Sequence, residues 1–336
     1  MGNLYTDLLQ VGASMLILIG IGWLLQKLQI VTAAEFGKAN KLCSKVGLPF
    51  LMFNTFVKQT IKNLSWWSLL VTSLVNASVH IIICLSFIIW RKDGLEKYVT
   101  IQISTCYVNY IIIGLPIFTS IWGEDSSKII VICPFFHYFF VVPLYMLLTN
   151  IEKIKREKEL KFASNSDEKF VYHLTCKDIG LAFWNSIKTP LLVGAFLGLI
   201  WACTSIKAPI FLLRLAKYMG DFVVVFSLLC IGSFLEKNSI IACEWYILVI
   251  CVSLRFIISP LLGIAFSKAL KISGTLGRQC SILSTMPLST VAYILASSTG
   301  YGQAAASSVV FWTVILVIPS IIFWFWIIDK FKLFPE

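Results

Sequence analysis

Long apolar stretches alternate with short polar links along almost the whole chain. A run of about 18 or more apolar residues is long enough for a helix to cross the hydrocarbon core of a bilayer. The pattern therefore predicts an all-α polytopic membrane protein with ten transmembrane helices. The predicted spans cover residues 5–25, 37–57, 67–90, 98–121, 127–149, 179–201, 211–235, 244–266, 276–298 and 303–327.

One long polar segment divides the predicted spans into two groups of five. We assign residues 1–149 to a first five-helix repeat, residues 150–178 to a basic cytosolic loop, and residues 179–336 to a second five-helix repeat. Because each repeat crosses the membrane an odd number of times, the second repeat is inverted relative to the first.

Matching interruptions mark the fourth and ninth spans. Gly114 and Pro116 fall in the fourth span and Pro287 falls in the ninth. Proline removes a backbone donor from a helix, and glycine allows the chain to bend. Inverted repeats with broken crossover helices at matching positions are typical of secondary transporters, in which the substrate binds beside the breaks.

The composition agrees with a membrane protein. Hydrophobic residues make up 58% of the chain and charged residues 13%, whereas a soluble domain carries about 25% charged residues. The net charge of +11 comes from basic residues in the links, where they act as topology signals and contact anionic headgroups of the lipid bilayer. We therefore expect no nucleic-acid partner.

The chain contains no metalloprotease, phosphate-loop or nucleophile-elbow motif, and we predict no enzymatic activity, no cofactor and no metal.

Lysine and arginine in the links predict the orientation. In the first half these residues concentrate on the side that is cytosolic if the N-terminus lies outside, whereas the second half has the opposite bias. Because the first half usually dominates, we predict that both termini lie outside. The plasma membrane and the endoplasmic reticulum are both compatible with this pattern.

Polar residues near the breaks are candidates for binding a solute. Asn109 has an amide that can donate to an anion, and the positive end of a half-helix also favours a carboxylate. The alternative is a proline kink in which Asn109 bonds a neighbouring helix. Ser289 and Thr290 either satisfy backbone groups freed by Pro287 or contact the substrate.

Ionisable residues inside predicted spans are functional candidates because they are costly there. His80, Asp221 and Arg255 have this position, and an Arg255–Asp221 ion pair is one arrangement. Cys133 and His137 share one helix face, but zinc needs more ligands than two, so we assign them a structural role. A GxxxG pattern at Gly194 and Gly198 predicts a close helix contact.

Residues 108–125, VNYIIIGLPIFTSIWGED, closely resemble the fourth-span signature of the auxin efflux carrier family, which includes the plant PIN carriers and the PIN-like proteins. Three further segments resemble the second, eighth and ninth spans of that family. They are Lys41 to Phe53, which includes Lys45; Arg255 to Pro260; and Met286-Pro287 followed by residues 293–296.

The resemblance implies two inverted five-helix repeats, an anion site where the broken fourth and ninth helices cross, and an elevator-like movement. Asn109 matches the substrate-binding asparagine of the family, and Pro116 and Pro287 match its helix-breaking positions. The sequence departs from the plant carriers at Val108, where they have a proline. Related carriers form homodimers.

These observations predict a membrane carrier that exports a small organic anion, an auxin-like carboxylate, by alternating access. A potential of 100 mV favours exit of one negative charge by roughly 2.3 kcal/mol, so export needs no coupling ion. One alternative is a sodium- or proton-coupled symporter. Another is a non-transporting receptor or scaffold that binds a partner through the basic central loop.

Overall fold

The computed structural model describes residues 2–57, 65–91, 93–163, 175–204, 206 and 208–335, and nearly all of these residues are helical. The helices are α1 (Gly2–Lys27), α2 (33–57), α3 (Trp66–Ile89), α4 (Gly94–Cys106), α5 (110–122), α6 (124–163), α7 (Cys176–Ile187), α8 (Pro190–Thr204), α9 (Ile210–Lys237), α10 (Trp245–Ala269), α11 (Gly274–Leu283), α12 (Thr290–Thr299) and α13 (Gln303–Lys330).

Several of these helices can cross a membrane. By length and composition, five qualify, namely α3, α6, α9, α10 and α13, and the pair α7 and α8, bent by 60°, makes a sixth if it is one span. Only the described residues enter this count. Each predicted span falls mainly on helical backbone, so the all-helical membrane fold is confirmed, whereas the number of ten spans stays a prediction.

The distribution of side chains fits a lipid environment. Large apolar residues such as Ile81, Ile88 and Phe211 are about 70% exposed, while polar residues such as Gln102 and Thr105 are fully buried. A helix satisfies its own backbone groups, so its apolar side chains can face hydrocarbon while the polar ones face inward. The buried polar residues therefore face the interior of the helix bundle.

Two helix pairs approach so closely that only glycine fits at the contact. On α8, a Cβ atom added at Gly194 would collide with the backbone of Pro49, and one at Gly198 would press on Phe53. Between α1 and α9, Gly232 lies against the backbone of Ile19 in the same way. The predicted helix contact at Gly194 and Gly198 is thus confirmed, and it joins α2 to α8.

We expect Gly194→Leu to prevent or strongly weaken folding. The new side chain meets backbone atoms of α2, which cannot move aside as a flexible side chain can, and overpacking commonly costs about 1–3 kcal/mol or more. Thermal denaturation in detergent, followed by size-exclusion chromatography, measures the effect. Gly180→Leu is the matched control, because a Cβ atom there meets nothing within 4 Å. Equal stability of the two variants would contradict the contact.

The first part of the central polar segment is helical rather than a loop. Helix α6 continues to Ala163, and α7 begins at Cys176 with Thr175 as its N-cap. Arg156 pairs with Glu152 at 2.9 Å, one helical turn away. Such pairs favour helix in a polar stretch, which is why the segment does not form a loop from residue 150. Residues 164–174 of the predicted loop lie outside the described part of the chain.

Candidate functional site

The breaks in the two halves of the chain lie against each other. Helix α4 ends at Cys106 and α11 ends at Leu283, and the extended residues that follow pair in antiparallel orientation. The backbone N–H of Asn109 donates to the carbonyl of Pro287 at 2.8 Å, and the N–H of Ser289 donates to the carbonyl of Tyr107 at 2.8 Å. This short antiparallel pair, residues 107–109 with 287–289, is called the crossing below.

The fourth-span break lies a few residues earlier than the positions of Gly114 and Pro116 suggested. Both residues belong to α5, and Pro116 is in the first turn of its α-helical part, behind a π-helical turn at Tyr110–Gly114. Pro287, in contrast, lies within the crossing as predicted.

Asn109 occupies the start of α5. Its side chain is 2% exposed, and its Oδ1 accepts a hydrogen bond from the N–H of Ile113 at 3.3 Å. The Oδ1 atom thus faces the backbone of α5, and the donor nitrogen Nδ2 of the same amide does not take part in this hydrogen bond. Gly114 packs behind this residue, since a Cβ atom at Gly114 would lie 3.0 Å from the Asn109 carbonyl and 3.2 Å from the sulfur of Met286.

Ser289 and Thr290 form the corresponding start of α12. The Ser289 hydroxyl accepts a hydrogen bond from the N–H of Val291 at 3.3 Å, which caps the helix. The buried hydroxyl of Thr290 has no hydrogen-bond partner within the described residues. Helices α5 and α12 therefore both begin at the crossing, and the partial positive charges of two helix N-termini converge there.

Arg255 binds the C-terminal ends of α4 and α11, the two helices that precede the crossing. It is 2% exposed in α10 and donates to the carbonyl of Ser284 at 2.8 Å and, more weakly, to that of Thr105 at 3.5 Å. These carbonyls lie at the C-terminal ends of α11 and α4, where the helix dipole places partial negative charge. The Arg255–Asp221 pair is wrong, because Asp221 lies exposed on α9.

A small cavity of about 40 Å³ opens beside the crossing. Asn109, Ser289 and His137 are among its polar lining residues, and Tyr107 and Tyr110 also line it. His137, for which the spacing to Cys133 predicts a structural role, also lines this cavity. The cavity is accordingly polar at the helix starts and aromatic around them.

The candidate polar residues share a local feature that sequence periodicity does not show. Lys45, His137 and Arg255 each lie in a π-helical turn, at Cys43–Gly47, His137–Val141 and Leu254–Ile258. Wide turns of this kind are frequent at functional sites, because they displace side chains from the regular helical register.

A larger cavity of about 260 Å³ follows the small one along the same helices. Leu48 of α2 and Leu295 of α12 line it, whereas the small cavity touches these helices one turn away, at Leu51 and Val291. Lys45 and Lys153 contribute to its lining, and none of its lining residues within the described chain is acidic. The larger cavity therefore favours anions over cations.

His80 lies in a separate hydrogen-bond network. Its Nδ1 is 2.7 Å from the carbonyl of Asn76, and its Nε2 is 3.3 Å from the side-chain nitrogen of Gln102. His80 contributes to neither cavity wall described above. The structure thus gathers Asn109, Ser289 and Arg255 around the crossing and leaves His80 and Asp221 outside it.

Comparison with known proteins identifies the family of this chain. Residues 8–325 match the family described as membrane transport protein. The auxin efflux carrier component 8 of Arabidopsis thaliana is 20% identical to this chain over 343 residues, which cover 90% of the chain and 92% of the relative. The chain therefore belongs to the membrane transport protein family to which the auxin efflux carriers are related.

Proposed function

We propose that this protein exports a small organic anion, an auxin-like carboxylate, by alternating access. In this proposal the chain has ten spans, and residues 1–149 and 179–336 form two inverted five-helix repeats around the central segment 150–178. Helices α4 and α5 are the two parts of the fourth span, and α11 and α12 are those of the ninth. The observation that carries the proposal is the antiparallel crossing, which brings two helix N-termini to one cavity.

The anion specificity follows from the groups at the crossing. The starts of α5 and α12 supply partial positive charge, and the amide of Asn109 and the hydroxyls of Ser289 and Thr290 supply hydrogen-bond donors without a negative charge. A carboxylate accepts such donors with both oxygens. Gly114, Pro116 and Pro287 act through the backbone. Pro287 lies within the crossing, and Gly114 and Pro116 lie in the part of α5 that follows Asn109.

Access to the crossing is proposed to run through the larger cavity. Lys45 and Lys153 on its wall raise the local concentration of anions, as lysines do in a cleft bordered by apolar walls. The cavity lies between α2, α7 and α8 on one side and α6 and α12 on the other. An elevator-like movement of the crossing relative to α2 would close this opening and expose the opposite side.

Export is proposed to be uncoupled from sodium or protons. Within the described chain, neither cavity has an acidic lining residue that could bind a coupling cation. The membrane potential alone is sufficient, since 100 mV changes the equilibrium ratio of a monovalent anion nearly fifty-fold.

Flux from proteoliposomes tests the proposal. Purified protein is reconstituted with labelled indole-3-acetate inside, in sodium-free buffer at equal pH on both sides, and a potassium gradient with valinomycin sets the potential. We expect efflux that accelerates when the interior becomes negative and that small carboxylates inhibit in competition. Flux that requires a sodium or pH gradient would favour the symporter, and no flux of any carboxylate by folded protein would favour the receptor.

A further inference from the structure

The imidazole of His137 is fixed beside the crossing by two aromatic rings. The rings of Tyr107 and Tyr110 lie 5.2 and 5.1 Å from it, centroid to centroid, and are inclined to it by 29° and 14°. Stacked aromatic rings restrict each other's rotation. The edge of the imidazole, which carries its nitrogen atoms, is therefore held in one orientation at the wall of the small cavity.

The Nε2 atom of His137 is buried and has no hydrogen-bond partner among the described residues. The residue as a whole is 1% exposed. An unpaired buried polar atom is costly, and on the wall of a cavity it is available to a ligand. His80 shows the contrast within the same chain, because both of its ring nitrogens lie near polar atoms of Asn76 and Gln102.

We propose that His137 is a substrate-contacting residue that sets the specificity of the site, in which Nε2 donates a hydrogen bond to the carboxylate of the anion held beside Asn109. An imidazole nitrogen that carries hydrogen is a donor, and a hydrogen bond to a carboxylate is stronger than one between neutral groups. The ligand is thus an organic anion whose carboxylate lies between the imidazole of His137 and the start of α5. The inference rests on the proposed function.

Two substitutions of His137 distinguish the role of its hydrogen-bond donor from the role of its aromatic ring. His137→Phe keeps an aromatic ring between Tyr107 and Tyr110 but removes the donor, and His137→Gln keeps a donor nitrogen but removes the ring. We would measure KM for labelled indole-3-acetate in proteoliposomes, together with the thermal midpoint of each purified variant. His80→Gln is the matched control, because it removes the other described buried imidazole.

The expected order of KM values is wild type, then His137→Gln, then His137→Phe, with the phenylalanine variant raised about tenfold or more, the size expected for a lost hydrogen bond to a charged group. This order of KM values should hold even if His137→Phe has a higher thermal midpoint than His137→Gln. A residue that only fills space gives a higher KM in His137→Gln than in His137→Phe. If His137→Phe does not fold, His137→Leu replaces it and the same comparison decides.

Three results overturn the inference. They are a KM of His137→Phe within twofold of wild type, a KM of His137→Gln above that of His137→Phe, and an equally large rise of KM in His80→Gln. In each case the wild type still transports, so the proposed function is unaffected. A wild-type protein that transports no carboxylate would instead remove the proposed function itself.

Discussion

Asn109→Asp is expected to abolish anion transport without unfolding the protein. An aspartate has nearly the same shape as asparagine, and its carboxylate can still accept the hydrogen bond from the N–H of Ile113 at the start of α5. Aspartate is as good a residue as asparagine at a helix start. The substitution does, however, replace a donor by a negative charge at the wall of the small cavity.

The expected size follows from the repulsion between two like charges. At about 4 Å and an effective dielectric constant of about 20, this repulsion is roughly 4 kcal/mol, which corresponds to about three orders of magnitude in affinity. Asn109→Ala removes the donor but adds no charge, so we expect a smaller loss of about 10- to 100-fold. Alanine also removes the hydrogen bond to Ile113, so its thermal midpoint should fall more than that of aspartate.

The measurement is initial efflux of labelled indole-3-acetate at neutral pH, normalised to folded protein in the same vesicles. The order of activities, wild type above alanine and alanine above aspartate, is the signature of an anion site. If Asn109→Asp transports as well as the wild type, the carboxylate does not bind at the start of α5, and the site has to be sought elsewhere.

The break in the ninth span could be anticipated from the sequence because a signal for it is local. Pro287 removes a backbone donor and so favours a break in that apolar stretch, although Pro319 lies inside the continuous helix α13. Asn109 was also identifiable, since a lone amide in an apolar run needs a partner. The exact start of the fourth-span break was not, because residues 107–109 contain neither glycine nor proline. They are extended because they pair with 287–289, which are distant in the sequence.

The partners of Arg255 and the position of His137 could not be obtained from periodicity. Regular helical spacing places His137 with Cys133, but its π-helical turn changes which residues face the crossing. Arg255 could have paired with an acidic residue in a span, and Asp221 was one such residue. In the structure the carbonyl ends of α4 and α11 take that place, because backbone groups left free at a break carry charge that composition does not reveal.

Arg255→Met is expected to impair both stability and transport. The side chain is 2% exposed and donates to carbonyls at the C-terminal ends of both broken helices. A methionine of similar length leaves these buried carbonyls without their cation. One such loss costs about 1–3 kcal/mol, and a cation at a partly buried helix C-terminus adds up to about 2 kcal/mol. We expect a thermal midpoint lower by several degrees and efflux reduced more than tenfold.

Arg255→Lys distinguishes the effect of the positive charge from that of the hydrogen-bonding geometry of the guanidinium. Lysine retains the positive charge, but its single ammonium group lacks the planar fork of arginine and is less suited to reach the carbonyls of Ser284 and Thr105 together. We therefore expect the lysine variant to recover part of the stability and part of the transport. If the charge alone mattered, lysine would restore both, and if only the bonding geometry mattered, lysine would be as defective as methionine.

Arg278→Met is the matched control for this series. Arg278 pairs with Asp329 at 2.9 Å, and their side chains are 31% and 58% exposed, so the loss of the pair should cost less than about 1 kcal/mol. If Arg255→Met melts and transports like Arg278→Met, the cation does not hold the broken helices together. A clear difference would mean that the crossing depends on a cation at its negative helix ends as well as on the anion-binding groups at its positive ends.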